Sequence, residues 1–265
     1  MDTSLALWRR SLAEGLGTFF LVLAGCGAIV ADARSDGALG TVGIALVFGL
    51  VVMAMISATG HLSGAHLNPA VTVAFALTRH FPLRDVAGYV AAQAGGAILA
   101  ALLLLAAWPD RPADLGATVP SVGVATALAY EVALTAALMF VIISVATDVR
   151  AWGSGAAIAI GATVALDAMF GGPVTGASMN PARSLGPALA AGEWQDFWLY
   201  VVGPTVGAVV GALAYQLIRG ERVHPAGVVD HGESRANGPG VARLHDLEHA
   251  TQSPPETAAG EPAKL

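Results

Sequence analysis

The tripeptide Asn-Pro-Ala occurs twice, at Asn68-Pro69-Ala70 and Asn180-Pro181-Ala182, and Arg183 follows the second copy directly. Asparagine can cap a helix N-terminus with its side-chain carbonyl while its amide nitrogen still donates. Proline suits the first helical position, where its missing N–H costs no hydrogen bond. Each box therefore reads as the start of a helix with a donor at its tip. Arg183 stands in an otherwise apolar region, where an arginine defaults to a functional role facing a wet cavity; pinning loop carbonyls is the structural alternative. Glu14 and Glu131 also interrupt apolar runs, and each repeats the pattern Glu-x-x-x-Thr, with Thr18 and Thr135. A buried carboxylate needs donors, and bracing an irregular loop would supply them. A proton relay would need a chain of further acids or histidines, which the sequence lacks.

Other chemistries find little support. No nucleophile stands with a base in a way that suggests an enzyme, and no cofactor is expected. Cys26 is the one cysteine, so an intramolecular disulfide and a thiolate metal site are both excluded; it reads as a small packing residue in an apolar run. His61 and His66 flank the loop before the first box without a Cys, Asp or Glu beside them. They are expected to line a pathway or brace a loop rather than hold a metal.

The elements that must position these residues follow from composition. Hydrophobic residues make up 55% of the 265 and charged residues 12%, about half the charged share of soluble domains, roughly 25%. This points to a membrane protein whose partner is the lipid bilayer. The net charge of −6 and the lack of a basic stripe exclude a nucleic-acid partner. Six runs are long and apolar enough to cross a bilayer: Trp8–Val30, Gly40–Gly60, Val86–Ala107, Val122–Ala146, Ser154–Phe170 and Phe197–Ile218. The first is too long for a signal-peptide core and carries Glu14, so it is expected to be a retained span. Two further apolar pieces, Asn68–Thr78 and Asn180–Ala190, are about 11 residues each, which at about 1.5 Å per residue covers about 16 Å, half a membrane.

Ser63–Leu77 and Thr175–Leu189 align with each other, sharing Gly, Ala, Asn-Pro-Ala, Ala and Leu at one constant offset. Each half of the chain is thus three spans plus one half-helix. Three is odd, so the second half enters from the opposite face, which makes an inverted repeat with its pathway at the paired short segments. The half-helices would meet N-terminus to N-terminus at the midplane. Their converging positive ends oppose cations, and Asn68 and Asn180 would point amide donors at a neutral solute. Arg9, Arg10, Arg79, Arg84, Arg150, Arg219 and Arg222 fall on the side of the termini, against Arg34 and Arg111 opposite, which puts both termini in the cytoplasm. Small-residue faces, with Gly203, Gly207 and Gly211 in the last span and Gln93, Gly95 and Gly96 in the third, suggest close helix contacts, with Gln93 bonded to a neighbour. Residues 1–218 form the expected channel domain, in halves of about 1–112 and 113–218. Residues 219–265 turn polar and aperiodic and read as a disordered cytoplasmic tail, in which His224, His231, His245 and His249 are irregularly spaced.

The two boxes, Arg183, Glu14, Glu131 and the stretch Ala91–Ala97 (AAQAGGA) resemble the aquaporin and glycerol-facilitator family, the major intrinsic proteins, over about Trp8 to Ile218. Gly172–Leu189 is similar to the nodulin-26-like branch and its bacterial relatives. The resemblance implies an all-α membrane fold of six transmembrane helices and two re-entrant half-helices, assembled as a homotetramer with a pore in every subunit. It implies a channel in the cell membrane (plasma or inner) for water and small neutral solutes. It also implies an outer selectivity filter, located by counting from the boxes at Phe48, Ala168, Ala177 and Arg183. Water-selective members carry histidine where this chain has Ala168, so a wider, less polar filter is expected. That branch implies passage of glycerol, urea or uncharged metalloid hydroxides; a strictly water-selective pore is the runner-up. One departure is Asp167, where the branch usually has an amide. It either lines the vestibule near Arg183 or points into packing with hydrogen-bond partners, and the second is the expectation.

Overall fold

The computed structural model describes residues 5–147 and 155–220. Eight α-helices run in chain order among them: α1 Leu7–Arg34, α2 Gly40–Ser63, α3 Pro69–Leu77, α4 Val86–Ala107, α5 Val124–Thr147, α6 Ala156–Thr175, α7 Pro181–Ala191 and α8 Leu199–Arg219. Six of these, all but α3 and α7, are long and apolar enough to cross a membrane. The described residues contain no strand. The tail with His224, His231, His245 and His249 lies outside the described residues, as do Arg150 and Arg222 of the charge asymmetry.

The expected spans shift mainly at their ends. α1 continues to Arg34 because Ala-Asp-Ala-Arg is compatible with a helix although polar. α6 passes through Gly171, Gly172 and Pro173 and stops at Thr175, where Gly176 takes the left-handed conformation that ends it. The Gly-Pro pair, an apparent stop signal, is absorbed into the last turn.

Packing follows the repeat. α1 lies against α4 and α2, α5 lies against α8 and α6, and α2 meets α6 across the two halves. Each half-helix crosses over: α3 packs on α8 of the other half, and α7 on α4. Close approach rests on small residues. A β-carbon at Gly207 or Gly211 of α8 would overlap the carbonyl oxygen of Val132 or Ala136 in α5, and one at Gly96 of α4 would overlap that of Gly15 in α1. Without a hydrophobic drive between helices in lipid, such backbone contact is what holds them together.

The distribution of polarity is inverted relative to a soluble protein. Leu16, Leu50, Leu102, Val210 and Leu213 are exposed, while Glu14, Thr18, Gln93, Glu131, Thr135 and Arg183 are buried. An apolar exterior with polar groups gathered inside suits a hydrocarbon solvent. Trp8, Trp194 and Trp198 are exposed near helix ends, where tryptophan favours the membrane–water boundary.

Candidate pore and its constriction

Two irregular loops lead into the half-helices, and both run through left-handed backbone. In the first, Gly64, Ala65 and Leu67 have φ of 88°, 46° and 52°; in the second, Gly176, Ala177 and Met179 have 81°, 42° and 52°. For residues with a Cβ this conformation costs about 1–2 kcal/mol each. Glu14 of α1 offsets that cost in the first loop. Its carboxylate accepts from the Ser63 hydroxyl at 2.7 Å, the His66 N–H at 2.9 Å, the Leu67 N–H at 2.6 Å and Gln93 Nε2 at 2.8 Å. Glu131 of α5 does the same in the second loop, accepting from the Thr175 hydroxyl at 2.7 Å, the Ser178 N–H at 3.0 Å and the Met179 N–H at 2.9 Å. Thr18 and Thr135 donate to the carbonyls of their own glutamates one turn back, which accounts for the Glu-x-x-x-Thr pattern.

Two tyrosines outside the sequence reading complete the brace. Tyr89 donates to the Ser63 carbonyl and Tyr200 to the Thr175 carbonyl, both at 2.8 Å. Lone tyrosines in apolar helices carry no distinguishing sequence signal, so the pairing emerges only in three dimensions. Gln93 ties Glu14 to Thr72 at the base of α3. His66 lines the internal cavity that the boxes also line, bonds Thr72 through Nδ1 at 3.1 Å and stacks on Phe75 with ring centroids 4.8 Å apart. His61 is not drawn into this group. It lies exposed in the last turn of α2, and no hydrogen bond to the loop accompanies it among the described residues.

At the tips the asparagines cap their own helices. Asn68 Oδ1 accepts from the Ala70 N–H, and Asn180 Oδ1 accepts from the Ala182 and Arg183 N–H groups. Pro69 and Pro181 open the two helices. The amide nitrogens do more than face a pathway. Asn68 Nδ2 donates to the Met179 carbonyl at 2.7 Å, and Asn180 Nδ2 to the Leu67 carbonyl at 2.8 Å. Each box is thus stitched to the other loop, and one of the two hydrogens on each amide remains for a solute.

Phe48, Ala168, Ala177 and Arg183 line one internal cavity of about 90 Å³, which Asn68, Asn180 and His66 also line. The Arg183 guanidinium carbon stands 4.9 Å from the centre of the Phe48 ring. Arg183 Nη1 donates to the Gly116 carbonyl at 2.8 Å and to Cys26 Sγ at 3.5 Å. The Gly116 carbonyl comes from Pro112–Gly116, in the longest described connection, between α4 and α5. Gly116 has φ of 79° and a β-carbon there would stand 3.0 Å from Cys26 Cβ, so glycine suits the close approach that brings this carbonyl to the arginine. Nothing in the local sequence marks Gly116, and Cys26 contacts Arg183 rather than merely filling space. Asp167 is 2% exposed and off the cavity wall. The expected packing is met and the expected hydrogen bonds are not: among the described residues Oδ2 is buried without a partner.

The Major intrinsic protein family model matches residues 1–215. The chain is 50% identical over 219 residues to Aquaporin NIP1-1 of Zea mays, spanning 83% of this chain and 78% of that protein. It is 47% identical over 216 residues to Nodulin-26 of Glycine max, spanning 82% and 80%. Among solved structures, the aquaglyceroporin from Plasmodium falciparum superposes with a TM-score of 0.71 at 27% identity, over 81% of this chain and 97% of that one. Family model, relatives and fold agree with six apolar helices and paired half-helices: this multi-pass membrane chain belongs to the major intrinsic protein family, whose members are channels and not enzymes.

Proposed function

We propose that the protein is a passive channel for water and small uncharged solutes, including glycerol, urea and metalloid hydroxides such as arsenous acid, and that it holds back protons and other ions. The observation that carries this reading is that Phe48, Ala168, Ala177 and Arg183 line one cavity. Two methyl-sized walls leave room for a polyol or a trihydroxide, while Arg183 supplies donors for its oxygens. At the midplane, the capped N-termini of α3 and α7 present partial positive charge from both sides. A neutral solute accepts the free amide hydrogens of Asn68 and Asn180. A cation meets two repelling helix ends, and a proton relay must reverse its donor–acceptor sense there. The name of the Plasmodium relative, an aquaglyceroporin, supports the glycerol part of this range.

The second reading, a strictly water-selective pore, draws on the 4.9 Å approach of Phe48 and Arg183, which closes one side of the opening. Stopped-flow light scattering on proteoliposomes separates the two. Fast shrinkage followed by re-swelling in glycerol or arsenous acid is expected; rapid water flux with no re-swelling would leave the narrow reading standing. The same reading includes a homotetramer in the plasma or inner membrane with both termini cytoplasmic, supported by Arg9, Arg10, Arg79 and Arg84 on one face against Arg34 and Arg111 on the other.

A further inference from the structure

Gly25 of α1 lies directly behind the Phe48 ring. A β-carbon at this position would overlap Cε1, Cδ1 and Cζ of that ring, all closer than van der Waals contact allows. The ring therefore occupies the volume that any larger residue at position 25 would need. Phe48 is itself a wall of the constriction, 9% exposed, lining the cavity and lying under the Arg183 guanidinium.

Helix α1 is held in backbone contact with α4 in its first half. On α4, a β-carbon at Gly96 would overlap the Gly15 carbonyl oxygen of α1, and one at Gly15 would stand 3.1 Å from the Ala92 carbonyl oxygen. The Gly116 loop rests on Cys26 next door. Close-packed helices transmit such overlaps rather than absorb them. The open direction for the ring is the cavity.

We infer that Gly25 is a specificity-determining residue of the pore: by admitting the back edge of the Phe48 ring, it sets the width of the opening and so the largest solute that passes. This rests on reading Phe48, Ala168, Ala177 and Arg183 as the solute filter. A side chain at position 25 would push the ring toward Arg183, leaving a gap that suits water better than a polyol.

Proteoliposomes holding the full chain, its Gly25→Ala variant, Phe48→Leu, and the double variant test this, with water and glycerol as probes and elution in detergent as the check on folding. Gly25→Ala is expected to lower glycerol flux about ten-fold, the size of discrimination one carbon makes in a tight site, with little change in water flux. In the Phe48→Leu background the same substitution is expected to leave glycerol flux unchanged, because no ring remains to displace. That comparison stands even if the single variant folds poorly, since the leucine relieves the overlap. Unaltered glycerol flux in Gly25→Ala overturns the inference. So does an equal loss of water and glycerol that persists in the double variant. A parent chain that excludes glycerol defeats the wide-filter reading instead; Gly25 is then judged on water flux, which should fall in Gly25→Ala and recover in the double variant.

Discussion

Arg183 is held by one carbonyl and one sulfur. Its Nη1 bonds to Gly116 and Cys26 fix the guanidinium against Phe48, so its charge sits at a defined point of the cavity wall. Replacing it with valine should raise proton or cation leakage about ten-fold, equivalent to about 1.4 kcal/mol of barrier, while glycerol flux persists. A pH-sensitive dye trapped in vesicles reads this directly, and an unchanged leak in a folded variant would remove Arg183 from ion exclusion. Ala168 makes a second prediction at this scale. Ala168→His adds bulk and a donor to the cavity wall, and should cut glycerol flux about ten-fold more than water flux; equal loss of both would place Ala168 away from the constriction. The arginine stood out in the sequence because a charge in an apolar run is costly. Gly116 did not, because nothing local distinguishes a loop glycine whose carbonyl travels to another helix.

Glu14 and Glu131 join elements rather than act alone. Each anchors, from a membrane-spanning helix, a loop with two non-glycine residues in left-handed backbone. Glu131→Gln replaces an acceptor for three donors with an amide whose NH₂ faces N–H groups. It should destabilise the fold by about 3 kcal/mol, the scale for breaking a buried charged network. The melting temperature in detergent is the measurement, and Glu14→Gln should behave alike, since Gln93 adds a fourth bond there. Parity between variant and parent would mean that the loops hold themselves. The α5–α8 contact offers an independent check: Gly207→Val meets the Val132 carbonyl and should cost about 1–3 kcal/mol by overpacking. Half-helices, their proline starts and the small-residue faces were legible in local sequence. The tyrosine braces and the crossover of α3 onto α8 were not, since both depend on partners from the other half of the chain.

For the whole molecule, the single crossing of α2 places the loop after α1 and the turn before α4 on opposite faces. The single cysteine is fully buried, so introduced thiols can be labelled over a low background. Ser35→Cys should react with a membrane-impermeant maleimide from outside intact cells, and Arg84→Cys only after lysis. The reverse pattern would invert the proposed orientation. Light scattering of the detergent complex is expected to give four copies of the 26.7 kDa chain; a monomer that still conducts would set the tetramer aside.

The sequence alone determined the class of fold. Long apolar runs, two half-length pieces and a repeat with an odd number of spans allow only one arrangement of faces, because every backbone polar group in lipid must be satisfied within the chain. It also located the charges that need an explanation. Only the tertiary structure decided what surrounds them. Each asparagine gives one amide hydrogen to the opposite loop, His61 stays out of the brace, Asp167 keeps an unpartnered oxygen, and Gly25 yields its space to Phe48. Those outcomes depend on distances between residues far apart in the chain, and no local pattern of residue types encodes them.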